Sequence, residues 1–166
     1  MLVLLVRHAK AEARSLPGLG TKSDARRPLT DAGRKRMRQA AKALHRLVPA
    51  IDVIASSPLI RARETAQILC GRYDDIPIVD LTSLSPGGSE RELLGWMREQ
   101  REDATIVLVG HEPDLGLLAS WLLTGKKSAF TPLRKGAACL IRFAETPVAG
   151  SGVLEWMLTP KLLDKL

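Results

Sequence analysis

The sequence predicts an α/β fold, a three-layer α/β/α sandwich whose mostly parallel central sheet ends in an antiparallel C-terminal element. Short apolar runs recur along the chain, Leu2-Val3-Leu4-Leu5-Val6, Val53-Ile54-Ala55 and Ile106-Val107-Leu108-Val109, with segments of helical periodicity between them. That alternation is the pattern of strand-helix-strand units. In the last third, Ala138 to Phe143 and Val153 to Leu158 are separated only by a turn-rich stretch holding Pro147, Gly150 and Gly152. Such a connection permits an antiparallel hairpin and no parallel crossover.

Each element follows from local signals. Leu2 to Val6 reads as a buried strand, followed by a long loop through Pro17, Gly18, Gly20 and Pro28. Thr30 can cap a helix to about Val48, with Met37, Ala40, Ala41, Leu44 and Leu47 on its apolar face. After the strand Val53 to Ala55, Pro58 suits the first turn of a helix that carries Ala62, Ala66 and Leu69 inward. Ile76 to Val79 reads as an edge strand that tolerates Pro77. Ser89 and Glu92 have capping-box spacing for a helix through Leu93, Leu94 and Met97. Thr105 to Val109 is the clearest interior strand, after which Pro113 opens a helix and Gly125 stops it.

Composition bounds the function. At 166 residues, 45% hydrophobic and 26% charged, the chain suits one globular domain spanning residues 1–166. No stretch approaches the ~20 apolar residues that span a bilayer. The opening strand lacks the flanks of a signal peptide, so the expected compartment is the cytoplasm and no membrane partner is expected. Cys70 and Cys139 lie far apart among apolar neighbours and offer no redox pair or thiolate cluster. The net charge of +7 favours anionic partners without choosing among them. Much of it, including Arg34-Lys35-Arg36 and Arg38, reads as a solvated helix face. Two phenylalanines and one tyrosine leave few stacking platforms, which argues against single-stranded nucleic acid.

The chemistry-bearing residues stand at strand exits. Arg7-His8 follows the first strand, Arg61 follows the second through Ser56-Ser57-Pro58, and His111 follows Val109-Gly110. Ligands of open parallel sheets bind outside the carboxyl ends of the strands, so these residues should share one crevice. A neutral imidazole is a competent nucleophile, and a phosphoryl group in transfer spreads charge over three oxygens that fixed cations can hold. Arg7 and Arg61 supply planar donors, and His111 adds a hydrogen bond or a charge. Singly, each residue has a plainer reading as a surface ion-pair partner or a hydrogen-bonded histidine. Paired histidines also suit zinc, but the adjacent arginines would repel a dication and no HExxH spacing occurs. His45, amid Lys42 and Arg46, reads as exposed and without a role.

With these residues placed, the chain resembles the histidine phosphatase superfamily, the group that includes phosphoglycerate mutases. The resemblance rests on Leu5-Val6-Arg7-His8-Ala9, Pro28-Leu29-Thr30-Asp31-Ala32-Gly33, Ser56-Ser57-Pro58-Leu59-Ile60-Arg61-Ala62 with Thr65-Ala66, and Val109-Gly110-His111-Glu112-Pro113. The short form and the opening Arg7-His8-Ala9-Lys10-Ala11-Glu12 resemble the SixA-type phosphohistidine phosphatases. The resemblance implies a phosphoglycerate mutase-like fold and a two-step reaction. His8 would become phosphorylated and water would then hydrolyse the phosphohistidine, with Arg7, Arg61 and His111 holding the phosphoryl oxygens. It implies no metal and no organic cofactor.

Two departures shape the expected substrate. Many relatives carry glycine where this chain has Ala9. The proton donor, a loop carboxylate in mutase-like branches, is represented here only by Glu90 and by Glu92, which the helix cap engages. A weak acid suits a leaving imidazole better than an alkoxide, so the expected substrate is a phosphohistidine-bearing protein. The alternatives are a small phosphorylated substrate, with Glu90 or another carboxylate as acid, and a non-catalytic module that binds phosphate or polyanions. The loop from Ala9 to Pro28 carries Arg14, Lys22, Arg26 and Arg27, of which Arg27 is expected to extend the phosphate pocket.

Overall fold

The computed structural model describes residues 1–13, 24–74, 76–128 and 132–166. Among these, β1 (Leu2–Arg7), β2 (Val53–Ser56), β3 (Ile78–Asp80), β4 (Thr105–Gly110), β5 (Ala138–Arg142) and β6 (Val153–Leu158) form one sheet. Their order is β3-β2-β4-β1-β5-β6. The pairs β2·β3, β2·β4 and β1·β4 are parallel, whereas β5 runs antiparallel to both β1 and β6. The α/β class and the antiparallel ending therefore stand as the sequence predicts.

Side-chain alternation along each strand sorts the helices into two layers. Val3, Leu5, Ile106 and Leu108 face one way, toward α3 (Glu90–Arg98) and α4 (Asp114–Thr124). Leu4, Val6, Val107 and Val109 face the other, toward α1 (Asp31–Leu47), α2 (Ile60–Cys70) and α5 (Pro160–Leu163). Burial on both faces explains why the interior strands read as unbroken apolar runs. No helix among the described residues is long and apolar enough to cross a membrane.

Several local details differ from the sequence reading. Pro58 lies before α2, which starts at Ile60 with Leu59 as its N-cap, because Ala62 and Arg63 both donate to the Leu59 carbonyl. The edge strand β3 begins at Ile78, beyond Pro77. The one-turn helix α5 is too short to show periodicity and was not expected. His45 is half-buried, its ring edge-on to Tyr73 at 5.0 Å between centroids. Arg34 is no solvated charge, since it bonds both Glu64 oxygens at 3.1 Å and so ties α1 to α2. Arg14 and Lys22 lie outside the described residues.

One contact sets the chain just beyond β1 against the start of α1. Thr30, the N-cap of α1, accepts from Gly33 N at 2.9 Å, while its own N–H donates to the Lys10 carbonyl at 2.9 Å. A methyl group on Gly33 would stand 2.1 Å from that carbonyl oxygen, so only glycine lets the two backbones approach. We expect Gly33→Ala to lose about 1–3 kcal/mol in urea unfolding, the usual cost of overpacking. A variant as stable as the parent would show that this approach is not needed.

Candidate active site

The register of the sheet brings the strand exits together. Arg7 pairs with Gly110, so His8 and His111 emerge side by side with ring centroids 5.0 Å apart. Ser56 pairs with Val109, which places Ser57 beside them, and its hydroxyl lies 2.9 Å from His111 Nε2. Arg61 enters from the first turn of α2 and is 3% exposed. Arg7, His8, Arg61 and His111 all line one cavity of about 810 Å³, joined by Arg27 and Lys135.

The surroundings of His8 select its tautomer. Its Nδ1 lies 2.7 Å from the Ala9 carbonyl, which can only accept, so Nδ1 carries the proton and Nε2 keeps a lone pair. The Ala9 peptide is itself held, because its N–H donates to Thr65 Oγ1 at 3.1 Å and that hydroxyl donates to the Arg61 carbonyl at 2.7 Å. Burial pushes the His8 pKa down to about 4; the bond to Ala9 opposes this, and the charges of Arg61, Arg7 and Lys135 reinforce it. Burial, with His8 and Arg61 as neighbours, likewise pushes His111 down to about 3, and its Nδ1 has no hydrogen-bond partner among the described residues.

The arginines are oriented by backbone. Arg7 Nη1 donates to the Leu133 carbonyl at 2.7 Å, and its buried Nε has no hydrogen-bond partner among the described residues. Arg61 donates from Nη1 to the Asp24 carbonyl at 2.8 Å and from Nη2 to Asp24 Oδ2 at 3.0 Å. Arg27 donates from Nε to Asp24 Oδ1 at 2.9 Å and from Nη1 to the Glu12 carbonyl at 2.6 Å. Asp24 thus bridges the two guanidiniums on the cavity wall.

The carboxylates divide differently from the sequence reading. Glu90 does not line the His8 cavity; it shares a smaller one with His111, and its Oε2 is held by Lys127 at 2.9 Å. Burial alone would raise the Glu90 pKa, but the bond and charge of Lys127 bring it below the ordinary value. Glu92 is exposed, and its N–H donates to Ser89 Oγ at 3.2 Å. Glu112 does line the cavity, and burial raises its pKa despite the bond from Leu133 N and the charge of Arg7. Glu112 sits beside His111 in the sequence, so that adjacency was the available signal. Lys135 and Asp24 carry no motif and come into view only through the fold.

Both histidines are harder to protonate in the folded chain than in the unfolded one, so on acidification the unfolded chain takes up protons first. The stability gained by keeping them neutral is complete above about pH 6.5 and is lost as pH falls toward about 4 for His8 and 3 for His111. We expect the free energy of unfolding in urea, and with it the midpoint, to fall across that window, the free energy by an amount on the order of 3 kcal/mol for His8. His8→Ala should flatten part of the slope, and a parent midpoint constant from pH 6.5 to 4 would contradict the burial.

Comparison with known proteins gives this geometry a family. Residues 3–85 match the model of the histidine phosphatase superfamily (branch 1). An uncharacterised protein of Picosynechococcus sp. is 38% identical over 125 residues, 69% of this chain and 76% of that protein. A 5''-phosphoribostamycin phosphatase of Niallia circulans is 40% identical over 89 residues, 51% of this chain and 40% of that protein. Among solved structures, the protein histidine phosphatase SixA complexed with tungstate matches with TM-score 0.76 and 26% identity, covering 97% of this chain and 98% of that one. A phosphoglycerate mutase of Plasmodium falciparum matches in fold with TM-score 0.65 and 18% identity, over 93% of this chain and 88% of that one. With the family model matched across half of its length and a mutase-like fold across nearly all of it, this chain belongs to branch 1 of the histidine phosphatase superfamily.

Proposed function

We propose that this phosphatase moves a phosphoryl group from a phosphohistidine-bearing protein to His8 Nε2 and then to water. The observation that carries the reading is the bond from His8 Nδ1 to the Ala9 carbonyl, which leaves the Nε2 lone pair facing the arginine-lined cavity. In the first step that pair forms the bond to phosphorus while the bond to the substrate imidazole breaks, and the departing ring nitrogen takes a proton from solvent water. In the second, a water oxygen bonds to phosphorus, the electron pair returns to Nε2, and inorganic phosphate leaves. The guanidiniums of Arg7 and Arg61 and the His111 ring hold the phosphoryl oxygens, and Arg27 and Lys135 extend the positive wall. Because burial keeps His8 neutral at pH 7, no proton need be removed before attack.

The protein substrate is supported by the likeness to SixA and by the lack of a committed acid at Glu90. One observation favours a second reading. Glu112 combines a place on the cavity wall with a raised carboxyl pKa, which would let it protonate an alkoxide leaving group. A small phosphate monoester would then be the substrate, as the name of the Niallia circulans relative would suggest.

Incubation with phosphoramidate is expected to place acid-labile phosphate on His8, with labelling lost in His8→Ala and turnover reduced by about three orders of magnitude or more. Hydrolysis without labelling, or neither, sinks the nucleophile assignment; neither leaves a phosphate-binding module. In a substrate panel, the phosphohistidine protein should exceed an alkyl phosphate in kcat/KM by about a hundredfold, the scale of a missing general acid. Comparable values would refute the protein substrate. A fall of similar size for the alkyl phosphate alone in Glu112→Gln would identify Glu112 as the acid of the second reading.

A further inference from the structure

A second cavity, of about 240 Å³, adjoins the one that holds His8, and the two share Lys10 and Lys135 as lining residues. Its remaining walls come from Ala9, from Gly33, Arg36, Met37 and Ala40 on α1, and from Gly136 and Pro160. The hollow exists because its floor is made of small residues. Gly33 and Gly136 have no side chain, Ala9 and Ala40 have one carbon each, and Met37 is packed into the core at 1% exposure. Arg36, Lys10 and Lys135 stand exposed around this apolar floor. No carboxylate lines the hollow, and among the described residues no acidic side chain pairs with any of the three cations.

Three like charges gathered over apolar surface repel one another, and an anion placed among them relieves that repulsion. A ligand with an apolar body and an anionic end satisfies both parts at once. Its body covers the floor of Ala40, Met37 and Pro160, and its anion lies among the three cations. Because Lys10 and Lys135 line both cavities, the hollow opens beside the one that His8 lines.

We propose that this hollow is the leaving-group subsite of the enzyme, and that it takes an apolar group bearing a carboxylate. The assignment rests on the phosphatase reading and adds what lies on the far side of the bond that breaks. The carboxylate has two possible carriers, a small organic acid or an acidic side chain next to phosphohistidine, and the test separates them.

The experiment compares kcat/KM within two substrate pairs, phenyl phosphate against 4-carboxyphenyl phosphate, and a phosphohistidine peptide with a neighbouring Gln against one with Glu. The parent should prefer the acidic member. In Arg36→Glu, which lines only the second cavity, the acidic-to-neutral ratio should fall about tenfold, as for one lost hydrogen bond to a charged group. Arg38→Glu makes the same change in net charge from an exposed position on α1 outside the hollow, and there the ratio should stay within about twofold. A fall in the aryl pair assigns the hollow to a small acid, and a fall confined to the peptide pair assigns it to an acidic side chain. Equal ratios in the parent and Arg36→Glu, or an equal fall in Arg38→Glu, overturn the subsite. If the parent hydrolyses neither pair, the phosphatase reading fails instead.

Discussion

Everything at the candidate site depends on how three parallel strands line up at their carboxyl ends. Arg7 lies opposite Gly110, and Ser56 opposite Val109, so the chain leaves β1, β2 and β4 at one level. A slip of one residue in either pairing would turn the last side chains to the opposite face of the sheet. It would carry His8 away from His111 and Ser57 away from both. The register is held by apolar packing on two faces, because Val3 and Leu5 belong to one core and Leu4 and Val6 to the other. Chemistry at the rim therefore draws its precision from aliphatic side chains well below it.

The second constraint is electrostatic. Two arginines and two histidines enter one partly buried cavity, and an enclosed set of positive charges is self-repelling. The protein limits the charge by keeping both imidazoles neutral through burial, and by bridging Arg27 and Arg61 with Asp24. Positive charge at the wall then comes from groups that cannot readily lose a proton, while His8 Nε2 keeps its electron pair. The division of labour follows from pKa values: guanidinium for permanent charge, imidazole for a lone pair near neutrality.

Much of this was legible in the sequence, and the rest has identifiable reasons for being hidden. The strands, the long helices and the convergence of Arg7, His8, Arg61 and His111 follow from periodicity and from the rule that strand exits face one crevice. Thr30 and Ser89 cap their helices through short-range chemistry that spacing reveals. Lys135 reaches the cavity, and Asp24 reaches Arg61, through tertiary placement, and no motif marks either. Glu90 was the natural acid by its position in the chain, but Lys127, distant in sequence, holds it in a different hollow. Pro58 suited a helix start by residue type, yet the hydrogen bonds to the Leu59 carbonyl place the start two residues later.

The single reversed strand has a consequence for how the cavity is closed. Because β5 runs opposite to β1, its beginning, not its end, lies at the rim beside His8, and the segment entering it supplies Lys135, Gly136 and the Leu133 peptide. Arg7 binds the carbonyl of that peptide and Glu112 binds its N–H, so the segment is pinned at one point and joins the sheet directly after. The two hydrogen bonds run to residues at the ends of β1 and just past β4, so the approach to β5 is fixed by the same strand exits that carry His8 and His111. One reversed strand thereby lets a segment remote in sequence complete a cavity wall built otherwise at parallel strand ends.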